Sequence, residues 1–477
     1  MPTRLRGLIP ASAALLLCAA IALPAFGEVA PANVISDNMV LQRDMAAPIW
    51  GTAEPGEKVT VKIAGQSKTA AAGQDGKWAL KLEPMKAGGP FDLTVAGKKT
   101  VTIKNVMVGE VWLCSGQSNM VWRVSGVLNA EQETAEANYP GIRMYTGVQG
   151  PWQVCSPSTA RSFSAAAYFF GRELHKALGV PIGLINESVG GTSARLWTPP
   201  DAVKAVPELK PVIDASKAAE ASHPQRLKRY EEALKKWQET KQGRQPRRPR
   251  LRKVGDLYES MVKPVIPYAI RGAIWYQGEA DAGRHAEYRI LFPTMIQAWR
   301  KAWGQGGFPF LFVQLPNYRT SWMMIREAQQ HALSLPNTGM AVTIDVGDLN
   351  NIHPKNKQPV GRRLALIARS KVYGQDVVCS GPAYDSFEVK AGEVHVKFTE
   401  VHGGLVSRGG EPGAFLIAGA DRKFVPAQAR IDGQTVVVSS PEVAKPVAVR
   451  YAWAPNPPVN LYNKAGLPAA PFRTDDW

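Results

Sequence analysis

The sequence predicts an α/β protein, a parallel-sheet domain flanked by small β modules. Three observations carry that reading. Short alternating polar and apolar runs, separated by glycine and proline turns, fill the first hundred residues. From Val106 to about Pro382, apolar strand-like runs alternate with longer stretches of helical periodicity. Beyond Pro382 the alternating short runs return.

Residues 1–27 stand apart as an export leader. Arg4 and Arg6 precede a mostly apolar stretch, and Ala25 and Gly27 are small residues placed for cleavage before Glu28. The stretch contains Pro10 and Ser12 and falls short of the roughly 18 consecutive apolar residues that a span needs. No later segment reads as membrane-spanning. The mature chain is therefore expected in the periplasm or outside the cell.

Residues 28–105 form the first module, a small β-sandwich. The runs 58–63 and 91–95 alternate polar and apolar, and Asp75-Gly76 supplies a hairpin turn before the run 77–82. The α/β domain occupies 106–382. Its first strand is expected at 106–113. Phe163, Ala167, Phe170, Leu174 and Leu178 then mark a helix that Gly179 stops. Strands follow at 182–185, 269–275, 308–315 and 340–344, and helices at 288–303, 325–333 and 360–370. Between them, 200–255 interrupts the alternation as a basic, partly helical insertion at the ligand-binding end of the sheet. Strands at 393–398 and 434–439 belong to a C-terminal β module, 383–477. No fixed-period repeat is present.

The net charge of +17 suggests a polyanion partner, but its distribution is uneven. Between Arg226 and Lys253 twelve Lys or Arg face three Glu, a local excess of nine. This reads as a solvated basic insertion, with attraction of anionic glycans as the sharper alternative. It lacks the aromatic interleaving of a single-strand binder, so no nucleic-acid partner is expected. Three cysteines follow the leader (Cys114, Cys155 and Cys379), enough for one disulfide at most. The fold must rest on its cores.

Phosphate-binding, dinucleotide, zinc-protease and Gly-x-Ser-x-Gly motifs are all absent from the sequence. Neither a metal nor another cofactor is expected. His402-Gly403-Gly404 resembles an oxyanion loop but lies in the last β module and reads as a turn. What remains is a set of loops after the sheet strands, where open α/β sheets bind ligands. Ser118 lies in Cys114-Ser115-Gly116-Gln117-Ser118-Asn119-Met120, directly after the first strand. Gly190 and Gly191 follow the next strand and offer unobstructed N–H groups. Gln277 and Glu279 follow another. His353, fixed by Pro354, follows the last and is the only histidine in a strand-end loop. Ester cleavage needs a nucleophile, a base and donors for the developing oxyanion. The acid partner of His353 is Asp348 by preference, with Asp345 the other aspartate before it.

Together these segments resemble the sialate O-acetylesterase family of SGNH-type hydrolases over nearly the whole mature chain. Ser36-Asp37-Asn38-Met39-Val40-Leu41-Gln42-Arg43 resembles its entry into the first module. Gly109 through Met120 resembles its nucleophile block, and Glu187-Ser188-Val189-Gly190-Gly191-Thr192 its glycine block. Trp275-Tyr276-Gln277-Gly278-Glu279 is similar to its third block, and Asn351-Ile352-His353-Pro354 through Ala365 to its histidine block. The resemblance implies an SGNH/flavodoxin-like sheet and a serine acyl-enzyme mechanism on an O-acetylated sugar. Ser118 would be nucleophile and His353 base. Gly190, Gly191 and the Gln277 amide would hold the oxyanion, with Gln117, Asn119 and Glu279 at the substrate. Asn350 stands where many SGNH enzymes carry aspartate, so Asp348 serves or the histidine works without an acid. Two alternatives remain: an acetylesterase of xylan or another plant polysaccharide, and a noncatalytic glycan-binding protein.

Overall fold

The computed structural model describes residues 28–477, and the expected leader lies outside them. Its centre is a mixed sheet of eleven strands. Six parallel strands form the part that matters for function. They are β1 (Thr100–Gly116), β2 (Tyr139–Thr146), β3 (Ile182–Ser188), β4 (Gly272–Tyr276), β5 (Phe310–Val313) and β6 (Thr338–Ala341). Their order is β2-β3-β1-β4-β5-β6, with Gln153–Cys155 antiparallel on the β2 edge. The chain leaves β1 towards one edge and leaves β4 towards the other. The switch point therefore lies between the carboxyl ends of β1 and β4, where the crevice of an open sheet forms.

The two outer layers are helical. Ala165–Leu178 is capped by Ser164, whose hydroxyl accepts the N–H of Ala167, and ends at Gly179 with φ 65°. Its buried face carries Ala166, Ala167, Phe169, Phe170 and Leu174, and it packs with Gln358–Lys371 on one side of the sheet. His285–Trp303 buries Trp299 against Trp275 of β4, with ring centroids 5.9 Å apart. Two features depart from the sequence's pattern. Strand β2 is obscured by Pro140, Gly141 and Arg143, which break its alternation. The insertion holds two long helices, Lys210–Ala221 and His223–Thr240, where the sequence marked it only as partly helical. The three cysteines after the leader are all free.

The first module is joined to the α/β domain more closely than a boundary at residue 105 suggests. Strand β1 runs unbroken through both and bends at Asn105, whose φ is 57°. Val40–Gln42 pairs with it in parallel. One hydrophobic core spans both regions. At the join Glu110 is fully buried, and Arg43, Arg271, Gln42 and the Tyr373 hydroxyl all donate to its carboxylate at 2.5–3.1 Å. A buried carboxylate is tolerated where its lone pairs are met this fully. The last module has its own core, which reaches Val342 and Ile344 beyond β6. It is fastened by buried Arg326, which donates to the carbonyls of Ala454 and Pro455, and by the Arg473–Glu327 ion pair. Among the described residues no helix is long and apolar enough to cross a membrane.

Candidate active site

The Ser118 segment owes its shape to a glycine. Gly116 has φ 140°, and a Cβ there would lie 2.2 Å from the carbonyl oxygen of Tyr276. The end of β1 thus crosses the end of β4 at a distance no side chain permits. The N–H of Gln117 donates to that same Tyr276 carbonyl at 3.0 Å, and the Gln117 side-chain oxygen accepts the N–H of Ala280. Ser118, half-buried, opens the short helix Ser118–Val121.

Beside it runs the glycine loop after β3. Gly190 and Gly191 are both exposed, and neither carries a side chain that could screen its own N–H. A Cβ on Gly190 would sit 3.6 Å from Cβ of Ser118, which places this backbone against the serine. The loop is held from below. Thr192 donates to the carbonyl of Val189 at 2.7 Å, and Trp197 donates to Thr192 at 3.0 Å. Asp281, buried, accepts from the Ser193 hydroxyl, the Ala194 N–H (2.8 Å), the Gln277 amide (2.6 Å) and Arg284 (3.2 Å).

Gln277 and Glu279 are buried deeper than a role against substrate suggests. The Gln277 amide nitrogen donates to the Thr192 carbonyl (3.0 Å) and to Asp281, which uses both of its protons. In this arrangement it braces the glycine loop. Glu279 accepts from Asn119 at 2.5 Å, and burial pushes its carboxyl above the usual range. Asn119 also donates to the carbonyl of Ile352 (3.1 Å), and its own oxygen accepts from Lys357 at 2.6 Å. Lys357 lies 5.2 Å from the centre of the Tyr276 ring, and burial pulls its ammonium down to about 7. One network of Lys357, Asn119 and Glu279 thereby joins the serine helix, the β4 loop and the histidine loop.

The histidine arrives on the loop between β6 and the helix Gln358–Lys371. Asp345 anchors that loop through a two-point ion pair with Arg363 at 2.6 and 2.7 Å. The exposed Asp348 carboxylate accepts the N–H groups of Asn350 (2.8 Å) and Asn351 (3.2 Å), closing an Asx turn. Among the described residues no hydrogen bond joins it to His353. The His353 ring stacks on Trp122, centroids 5.0 Å apart and planes 18° from parallel. Burial, and then the Lys357 charge, lower its pKa. Both effects favour the neutral imidazole.

The sequence singles out neither Trp122, Asp281 nor Lys357. The last two do carry a weak signal: Asp281 lies four residues after Gln277, and Lys357 four after His353. The loops carrying Ser118, Gly190, Gly191 and His353 meet at the switch point, whereas Asp348 faces solvent and Gln277 turns towards Asp281. Gln117 and Asn119 are buried and, like Glu279, bonded within the protein. Among the described residues no group of three or more His, Cys, Asp or Glu side chains could hold a metal ion.

A sheet of this topology, with polar loops gathered at its switch point and flanking β modules, is an architecture shared with a carbohydrate esterase of known structure. The crystal structure of a carbohydrate acetylesterase from Xanthomonas citri matches it with TM-score 0.82 and 35% identity, over 94% of this chain and 100% of that one. Residues 108–368 match the family described as "Carbohydrate esterase, sialic acid-specific acetylesterase", and the chain belongs to that family. Sialate O-acetylesterase of Mus musculus is 30% identical, covering 92% of this chain and 93% of its own. The Homo sapiens enzyme is 28% identical over 92% of this chain and 91% of its own. The chain is accordingly an ester hydrolase, and the noncatalytic alternative falls.

Proposed function

We propose that this is an exported serine carbohydrate O-acetylesterase of SGNH type, acting on O-acetylated sialic acid. The observation that carries the reading is the placing of Gly190 against Ser118, with the neutral His353 tied to the same serine helix through Ile352 and Asn119. Ser118 Oγ attacks the acetyl carbonyl carbon while His353 takes the hydroxyl proton. The N–H groups of Ser118 and Gly190 or Gly191 hold the oxyanion, and Gln277 fixes their loop from beneath. Collapse breaks the ester bond, and the departing sugar oxygen receives the proton from His353. Water, deprotonated by the same His353, then attacks the acetyl-enzyme and releases acetate, returning the proton to Ser118. Trp122 holds the imidazole plane, so Ser118 and His353 work as a dyad. Residues 28–105, 106–382 and 383–477 are the β, esterase and β modules of the exported chain, which functions in the periplasm or outside the cell.

Xylan and other acetylated polysaccharides are the second reading, favoured by the broader description of the Xanthomonas protein as a carbohydrate acetylesterase. The test is acetate release from O-acetylated sialic acid and from acetylated xylan, with Ser118→Ala as control. Release abolished in the variant supports the serine mechanism, and the preferred substrate decides the sugar. Undiminished release by Ser118→Ala would overturn it.

A further inference from the structure

We propose that the segment 241–253 is an arginine arm that seats an acidic glycan chain, one with repeated carboxylates, beside the glycine loop. The inference rests on the esterase reading above and names its substrate class. Three observations carry it: the charge of the arm, its exposure and its point of attachment.

The segment contains seven Lys or Arg and no Asp or Glu. Among the described residues, Lys253 is the only one of the seven in an ion pair, with Glu220 at 2.7 Å. Arg244, Arg247, Arg248 and Arg250 are all exposed and have no acidic partner among the described residues. Cations crowded this closely repel one another. Among the described residues only the Lys253–Glu220 pair offsets that repulsion, whereas a bound polyanion would offset it along the whole arm.

The backbone of the arm is suited to display. Residues 245–253 form neither helix nor strand, and Pro246 and Pro249 are half-buried while the arginines between and beside them face solvent. Proline pairs of this kind keep a chain extended and stiff, so the guanidinium groups are held apart along a line. Guanidinium is the side chain best shaped for two-point binding of carboxylate. The helix leading into the arm, His223–Thr240, has no fully buried residue, so the approach to the arm is open among the described residues.

The arm ends at the site. Arg252 donates to the carbonyl oxygen of Gly191 at 3.3 Å, and the N–H of Gly255 donates to the carbonyl of Arg195 at 3.0 Å. A chain lying on Arg244 to Arg250 therefore has its next sugars beside Gly190 and Ser118. A monosaccharide could reach the serine without touching the arm. A polymer could not do so as readily, which is why the arm selects by chain charge.

The experiment uses three acetylated polymers: O-acetylated polygalacturonate, the same polymer with its carboxyls methyl-esterified, and acetylated xylan. The variant is Arg244→Gln, Arg247→Gln, Arg248→Gln and Arg250→Gln together, sparing Arg252. Wild type is expected to favour the free-acid polymer over its methyl ester by about 10-fold or more in kcat/KM at low salt. The preference should vanish in the variant and shrink at high salt, while turnover of acetylated xylan stays unchanged in both. Equal rates on free-acid and esterified polymer, from protein that does turn over acetylated xylan, would overturn the arm and leave the esterase intact. Retardation of unacetylated polygalacturonate in affinity electrophoresis judges the arm without any turnover. Retardation lost in the four-fold variant supports it. No retardation, or retardation of duplex DNA alone, overturns it.

Discussion

Lys357 Nζ lies 2.6 Å from Oδ1 of Asn119, the residue next to the serine. This bond ties the helix that follows the histidine loop to the helix that begins with Ser118, and it places a buried cation near His353. Lys357→Met removes both effects. The acid limb of the kcat/KM profile should move to higher pH, because the charge that opposes His353 protonation is gone. Loss of kcat by about 10-fold or more is also expected, with lowered thermal stability, since Glu279 loses its nearby cation. A purely structural lysine would lower stability and leave the pH limb in place.

Two glycines of the site should answer differently to alanine. At Gly116 the φ of 140° and the Tyr276 carbonyl 2.2 Å from a new Cβ make substitution a folding defect, roughly 2–3 kcal/mol or more. At Gly190 the new Cβ would make ordinary contact with Ser118, 3.6 Å away. Gly190→Ala should melt like wild type yet lose about 10–100-fold in kcat/KM, because its methyl group crowds the space beside Ser118 that the proposed mechanism gives to the acetyl group. Melting curves paired with acetate release separate the two cases.

Asp281→Asn should damage the glycine loop without touching the reacting atoms. Four donors converge on this carboxylate. An amide must turn an N–H towards one of them, which leaves a buried donor unmet and costs roughly 1–3 kcal/mol. The expected result is a lower Tm together with a kcat loss that added substrate cannot overcome. An unchanged Tm would show that the loop does not depend on Asp281.

The sequence revealed the strands and loops of the site because each lies in a contiguous block, apolar run first and polar turn after. Ser118, Gly190 and His353 were legible for that reason. The braces were not. Asp281 holds Ser193 and Ala194, 88 and 87 residues away, and Lys357 holds Asn119, 238 away; the four-residue spacing from Gln277 to Asp281 is too common to announce that the amide turns that way. Strand β2 was hidden by Pro140 and Gly141, and the continuity of β1 by the polar pair Lys104-Asn105.

Glu187 is buried at the end of β3, and neither of its carboxyl oxygens has a partner among the described residues. Burial raises its pKa from 4.5 to about 8. The raised folded-state value sets the sign: between pH 4.5 and 8 the unfolded chain ionises first, so stability falls as pH rises through that window. The slope approaches ~1.4 kcal/mol per pH unit from this one group. Glu187→Gln should therefore flatten the dependence of Tm on pH between 5 and 8 and stabilise the protein most at the alkaline end. A variant whose Tm follows the wild-type curve in parallel would refute the assignment.

Asp348→Asn distinguishes a triad from a dyad. An aspartate that orients a catalytic histidine is worth about 10⁴ in kcat when changed to asparagine, because the imidazole is held in the wrong tautomer. Here the Asp348 carboxylate is spent on the N–H groups of Asn350 and Asn351, and an asparagine oxygen can accept both. The Trp122 stack holds the ring plane without reference to either residue. Asp348→Asn should thus lose less than about 10-fold in kcat, while Trp122→Ala, which frees the ring, should lose more. A fall of thousands-fold in the Asp348 variant would mean that the loop closes on substrate and brings this carboxylate to His353.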